Sequence, residues 1–242
     1  MLNVLLPIAG QGSRFANVGY KNPKPFIEIH GKFMILHVLD NINIPGAKYI
    51  FLCQTAHLKE FGALFIEQLK QRTFIRDFDI VPVDGVTEGA ACTVLKAKSL
   101  IDTNDELLIA NGDQLLPDGD ITRSVTYFER NRADAGMLCF FNKSMKWSYV
   151  TIEANRQISR IAEKIVISDH ATCGIYYAKH GKCFVAAAER MIEKNDRVNN
   201  EFYVAPAFNY MILDEKAVLP YFVNEMWGLG TPEDLTSYLQ NF

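Results

Sequence analysis

The alternation of short apolar runs with longer helical stretches predicts an α/β fold, three layers deep (α/β/α), on a mixed and mainly parallel sheet. Three observations carry that expectation. Over about the first 140 residues, runs rich in β-branched and aromatic residues alternate with segments of helical periodicity, the order in which helices cross over between parallel strands. After Asn142 the texture changes to shorter β segments. With 242 residues, 49% of them hydrophobic, no internal repeat and no Pro/Gly/Ser linker, the chain can bury one shared core.

The first predicted strand is Asn3 to Ile8, and Lys48 to Cys53, Phe78 to Val83, Glu106 to Ala110 and Gly136 to Phe141 follow as further buried strands. Between them Met34 to Ile42, Leu58 to Lys70, Ala90 to Leu100 and Ile121 to Asn131 carry apolar residues at helical spacing. The later part adds short strands at Tyr149 to Glu153, Ile158 to Ala162 and Thr172 to Ala178, then helices from Gly181 to Lys194 and near Pro206. At Thr231-Pro232-Glu233-Asp234-Leu235 a capping Thr, a first-turn Pro and an acid three residues after the Thr open a closing helix. The expected organisation is one Rossmann-like domain over 1–242, in two halves, 1–140 and 141–242.

Composition narrows the partners. The 25 basic and 28 acidic residues give a net charge of −3 and are spread along the chain, without the basic stripe that nucleic acid or a membrane surface would require. The N-terminal apolar stretch lacks a basic leader, and no segment approaches the roughly 20 apolar residues of a membrane span. The five cysteines (Cys53, Cys92, Cys139, Cys173, Cys183) form no C-x-x-C pair and read as reduced core residues. A cytoplasmic protein is expected, with self-association into a homo-oligomer left open.

The chemistry concentrates in Leu6-Pro7-Ile8-Ala9-Gly10-Gln11-Gly12-Ser13-Arg14-Phe15, continuing to Asn22-Pro23-Lys24-Pro25-Phe26. A strand ends in small residues, and Gly10 and Gly12 let backbone N–H groups face a phosphate chain. Arg14 adds a planar guanidinium fork and Lys24 a mobile ammonium for charge shifting among phosphate oxygens. The run is not a Walker A loop, because the G-K-[ST] ending is missing. Nor is it the Rossmann G-x-G-x-x-G, since Phe15 occupies the third Gly position.

Two further segments extend the pattern. Thr87-Glu88-Gly89-Ala90-Ala91 opens a helix with small residues, so Gly89 and Ala90 can wall a flat base while Glu88 or backbone groups read its edge. Ile109-Ala110-Asn111-Gly112-Asp113 ends a strand in a carboxylate at the sheet's carboxyl edge, where open α/β folds bind ligands and a hard oxygen suits Mg²⁺.

These segments resemble the sugar-phosphate nucleotidyltransferase family, whose signature is a strand followed by A-G-x-G-[ST]-R and a downstream Lys-Pro. The resemblance spans nearly the whole chain. It implies a nucleotidyltransferase fold related to that of GT-A glycosyltransferases, dependence on Mg²⁺, and attack by an acceptor phosphate on the α-phosphorus of a nucleoside triphosphate. Arg14 and Lys24 fall on the family's phosphate-binding cations and Asp113 on its metal-binding Gly-Asp. Pro7, Ala9, Gly10, Gly12, Ser13, Glu88, Gly89, Ala90 and Asn111 become the expected nucleotide-binding residues. The 1–140 half then holds the nucleotide and the 141–242 half the acceptor.

On the acceptor side, Ser148-Tyr149-Val150-Thr151-Ile152 followed by Ile161-Ala162-Glu163-Lys164 resembles a family strand leading to Glu-Lys-Pro, with Ile165 in place of the Pro. Glu163, Lys164 and Gly174 are the expected acceptor contacts, and Asn199-Asn200-Glu201-Phe202-Tyr203 loosely resembles an acidic-aromatic stretch near the acceptor. The clearest departure is at Trp227-Gly228-Leu229-Gly230-Thr231: the family often reads Trp-x-Asp-x-Gly-Thr, its Asp a second metal ligand, and here Gly228 takes that place. Either Asp113 and the phosphates hold the metal, or Glu225 reaches in, or the site is weakened. The Gly-x-Gly-Thr-Pro-Glu-Asp ending is similar to members from capsule and surface-polysaccharide loci, some acting on phosphocholine-like or phosphoglutamine-like acceptors. That likeness favours CTP over GTP, UTP or dTTP. The alternatives are a nucleotide-binding regulatory domain without turnover, or a GT-A glycosyltransferase using Asp118-Gly119-Asp120. His30, His37 and His57 carry no assigned role, and Phe61, Phe65, Phe74 and Phe78 are expected in the core.

Overall fold

The computed structural model describes residues 1–241; Phe242, the last residue of the expected domain, lies outside them. In chain order the elements are β1 (Leu2–Pro7), α1 (Ser13–Asn17), a 3-10 turn (Lys24–Phe26), β2 (Glu28–Ile29), β3 (Lys32–Phe33), α2 (Met34–Ile42), β4 (Lys48–Gln54), α3 (Thr55–Lys70), β5 (Asp77–Val83), α4 (Ala90–Leu95), α5 (Lys98–Ile101), β6 (Glu106–Ala110), β7 (Gln114–Leu115), α6 (Asp120–Arg130), β8 (Ala135–Phe141), β9 (Ser148–Ile152), β10 (Ile158–Glu163), β11 (His170–Ala178), α7 (Gly181–Glu193), α8 (Val204–Leu213), β12 (Val218–Phe222), β13 (Trp227–Gly228) and α9 (Pro232–Asn241). Among the described residues no helix is long and apolar enough to cross a membrane.

Nine strands share one sheet, in the order β10-β9-β11-β6-β1-β4-β5, with β8 on β11 and β12 on β8. The β6-β1-β4-β5 stretch is parallel throughout, and β11 joins β6 antiparallel. The chain passes from β1 outward to β4 and β5, then returns to lay β6 on the other side of β1. That reversal opens a crevice beyond the carboxyl ends of β1 and β6, the place where open α/β sheets take ligands.

Strand periodicity produces the three layers. In β1, Val4 and Leu6 enter one buried cluster and Leu5 the other; in β4, Tyr49, Phe51 and Cys53 oppose Ile50 and Leu52. The first cluster is closed by α2, α3, α6 and α9 through residues such as Leu39, Phe65, Phe128 and Leu235. The second is closed by α4, α5, α7 and α8 through Val94, Ile101, Phe184 and Phe208. Each such fully buried side chain contributes about 1.5–3 kcal/mol. Phe65 is buried, with Phe61, Phe74 and Phe78 packed around the same cluster, as core residues.

The expected helix from Ala90 to Leu100 is two short ones. Lys96 and Ala97 donate to Thr93 and Val94, three residues back, so the last turn of α4 tightens and the chain restarts as α5. At the closing helix, Asp234 N–H donates to Thr231 Oγ1 at 3.1 Å, as the cap predicts. The Asp234 carboxylate does not return to the Thr231 backbone; Lys146 Nζ donates to it at 2.8 Å.

Candidate active site

The crevice at the β1–β6 edge is a cleft of about 540 Å³, a volume suited to small-molecule substrates. Its floor begins where β1 ends. Pro7, Gly10, Gly12, Ser13 and Arg14 all line it. A Cβ on Gly10 would meet no atom within 4 Å, so the loop backbone there is open to a ligand. Gly12 has φ +62°, and a Cβ on it would stand 2.9 Å from Lys24 Cβ. The glycine therefore serves the left-handed turn and the seating of Lys24 together. Ala9 lies beneath this loop: it is buried, and its carbonyl accepts from Gln54 Nε2 at 2.8 Å.

Lys24 arrives on the 3-10 turn, anchored by the buried Pro25 and Phe26. Its Nζ donates to Asp113 Oδ2 at 2.7 Å. Asp113 stands just past β6 beside Asn111, whose N–H donates to the Gly174 carbonyl at 2.9 Å. Arg14 is exposed and has no ion-pair partner among the described residues, leaving its guanidinium free for an anion.

The far wall comes from β9, β10 and β11. Glu163 ends β10, is only 6% exposed, and accepts from Ser148 Oγ. Burial raises its pKa above the ordinary 4.5, against the opposing pull of Ser148 and Lys164. Lys164 sits at φ +56° with its N–H on the Trp147 carbonyl at 3.0 Å. Its ammonium donates to the Tyr203 hydroxyl and lies 4.5 Å from the centre of that ring. Gly174, at φ +72°, also lines the cleft, and any side chain on it would collide with Asn111 and Gln114.

Asn199 and Asn200, both at positive φ, make the turn of a tight bridge in which Val198 and Glu201 exchange backbone hydrogen bonds. That turn delivers Glu201 and Tyr203 to the cleft. Lys146, Trp147, Tyr176, Gln114 and Asp234 line it as well. None of these five was assigned a substrate role by the sequence. Gln114 Oε1 and Trp147 Nε1 are buried without a hydrogen-bond partner among the described residues, polar capacity of the kind that a bound molecule or water satisfies.

Several expected residues lie elsewhere. Glu88 does not reach the cleft, because its carboxylate pairs with the Arg197 guanidinium. Gly89 is a glycine for a different reason than a base: at φ +132°, a Cβ on it would strike the Phe202 backbone. Of this segment only Ala90 lines the cleft. Glu225 belongs to a second cavity with Lys32, His37, Asp40 and Asp118. β13 pairs with β7, and side chains alternate along such a strand. Trp227 faces the second cavity while Gly228 and Gly230 face the first, and Glu225 falls on the Trp227 side. Asp118 and Asp120 are also outside the cleft; Asp120 is held by Arg123 at 2.6 Å.

Among the described residues no group of three or more His, Cys, Asp or Glu is placed to hold a metal. A divalent ion at Asp113 would therefore find at most two such protein groups and fill the rest of its shell with phosphate oxygens and water, the way Mg²⁺ ordinarily binds.

The nucleoside-diphosphate-sugar pyrophosphorylase from Vibrio cholerae RC9 superposes with a TM-score of 0.82 at 22% identity, covering 98% of this chain and 99% of that one. A UDP-glucose pyrophosphorylase complexed with UDP-glucose gives a TM-score of 0.80 at 16% identity over 100% and 98%. A UTP-bound UGPase from Acinetobacter baumannii gives 0.73 at 16% over 100% and 93%. These identities establish a shared fold. No curated protein sequence matches the chain. The model of the family described as nucleotidyl transferase matches residues 3–241. The chain belongs to that family, and it is a nucleotidyltransferase.

Proposed function

We propose that this enzyme transfers a nucleoside monophosphate, CMP in preference, from its triphosphate to a phosphorylated sugar or similar small acceptor, with release of pyrophosphate. The observation that carries the reading is the one cleft that Arg14, Lys24 and Asp113 line together with Glu163 and Lys164. Backbone groups of Gly10, Gly12 and Ser13 surround the triphosphate, and Arg14 and Lys24 balance charge as it moves toward the leaving pyrophosphate. Ala90 and Asn111 face the nucleoside. Lys164 holds the acceptor phosphate in line with the α-phosphorus, and Glu163 receives hydrogen bonds from acceptor hydroxyls or an amine. Residues 1–140 thus serve the nucleotide and 141–242 the acceptor.

The carboxylate of Asp113, a hard oxygen donor beside the phosphate cations, is the ligand Mg²⁺ calls for. A bound ion there supplies charge neutralisation on the phosphates as the α-phosphorus is attacked.

The choice of CTP and of a capsule or surface-polysaccharide role rests on the Gly228-to-Asp234 ending. The fold relatives are described with UDP-glucose and UTP, so UTP is the first competitor to test. Pyrophosphate release with each of four triphosphates against phosphorylated sugars, polyols and amides decides it. Release with CTP and one acceptor class supports the reading, and no release with any pair favours a nucleotide-binding regulatory domain. The glycosyltransferase alternative loses its metal motif, since Asp118 and Asp120 do not line the cleft.

A further inference from the structure

Gly228 occupies the position where the resembled pattern has a second metal-binding Asp. Nothing in the fold demands glycine there. Its φ is not positive, and a Cβ on it would meet only ordinary neighbours: Asp234 Cγ and Oδ2 at 3.6 Å and the Trp147 ring at 3.7 Å. An Asp at 228 would carry its carboxylate one bond beyond that Cβ, beside the carboxylate of Asp234. A different element thus brings an acid to the space the missing one would fill.

The placement is fixed at both ends. Thr231 Oγ1 holds the Asp234 N–H in the first turn of α9, and Lys146 Nζ holds the carboxylate at 2.8 Å. Two residues along the strand, on the same side, a Cβ on Gly230 would stand 2.8 Å from Asp113 Oδ2. Both carboxylates therefore abut the cleft side of Gly228-Leu229-Gly230. Each is neutralised by a lysine of the cleft, Lys24 on Asp113 at 2.7 Å and Lys146 on Asp234 at 2.8 Å.

We infer that Asp234 is the second carboxylate for the divalent cation, standing in for the acid absent at position 228. The inference rests on the nucleotidyltransfer reading above. Phosphates entering the cleft offer both lysines a new partner and leave both acids as hard oxygen donors, the one-or-two-carboxylate arrangement in which Mg²⁺ binds together with substrate phosphates.

Mn²⁺ titrations followed by electron paramagnetic resonance test it directly, with the non-transferable α,β-methylene analogues of CTP and UTP. The proteins are wild type, Asp234→Asn and the double variant Gly228→Asp/Asp234→Asn, with circular dichroism confirming the fold. The backbone cap survives in Asp234→Asn. Its Mn²⁺ affinity should fall roughly tenfold or more, and Gly228→Asp should restore it. Unchanged affinity in Asp234→Asn, or a loss that the double variant fails to restore, overturns the role of Asp234. Wild type that binds no Mn²⁺ with either analogue overturns the metal reading as a whole, while pyrophosphate release by wild type judges the reaction separately.

Discussion

Lys24 Nζ lies 2.7 Å from Asp113 Oδ2, a contact between residues 89 apart in sequence. It joins the loop after β1 to the end of β6 and brings the proposed phosphate-binding cation against the proposed metal ligand. The pair is partly buried, with side chains 24% and 16% exposed.

Asp113→Asn should lower turnover on the order of 10²-fold or more, because the carboxylate is lost where transition-state charge is stabilised. Pyrophosphate release with saturating substrates measures it. Near-normal turnover in the variant, or in wild type with excess chelator, would remove Asp113 from the reaction.

Arg14→Ala and Lys24→Ala should each reduce kcat by roughly 10²-fold while leaving the unfolding free energy within about 1 kcal/mol of wild type. Neither charge supports the core. Comparing kcat with urea unfolding separates the two effects, and a variant that simply unfolds would show a structural charge.

For the acceptor wall, Lys164→Ala should raise the acceptor KM roughly tenfold with little change in triphosphate binding. Steady-state kinetics and nucleotide titration on the same protein give both numbers. A collapse in nucleotide affinity with an unmoved acceptor KM would contradict the division into two halves.

Glu163 makes a prediction about pH. Its folded pKa is raised above 4.5 by burial, so between the unfolded and folded values the native state holds the proton that the unfolded chain has released. Stability is therefore lost as pH rises through that window. Relative to wild type, Glu163→Gln should gain stability as pH rises from below 4.5 to neutral. Urea midpoints across that range check the sign, and a constant difference would deny the desolvation.

Gly89→Ala should destabilise the fold by about 1–3 kcal/mol, since φ +132° suits glycine and the added Cβ strikes the Phe202 backbone. Chemical denaturation measures this. Wild-type stability would mean that the turn at Gly89 relaxes freely.

The sheet was largely legible because β1, β4, β6, β8 and β11 are buried on both faces and read as continuous apolar runs. β12 escaped notice because Pro220 interrupts its pattern; as an edge strand paired only with β8, it tolerates a missing donor. β7 and β13, two residues each, are too short to show a period. That Gly10, Gly12, Arg14, Lys24 and Asp113 would line one cleft was legible because they follow the ends of strands at the sheet's carboxyl edge. Lys146, Trp147 and Asp234 were not, since only the approach of α9 to the β8–β9 connection gives them a cleft to face. The contacts of Glu88 with Arg197 and of Gly89 with the Phe202 backbone were not legible, because partners more than 100 residues away leave no local pattern.

That contact reaches further than stability. Phe202 N–H donates to the Glu88 carbonyl at 2.8 Å and Ala91 N–H to the Phe202 carbonyl at 2.9 Å, so the turn before α4 is stitched to the segment that carries Tyr203. Tyr203 in turn holds Lys164. If a ligand at Ala90 changes the affinity for one at Lys164, the change must be equal in both directions. On the proposed reading, the nucleotide side and the acceptor side of the cleft thus share one continuous run of hydrogen bonds.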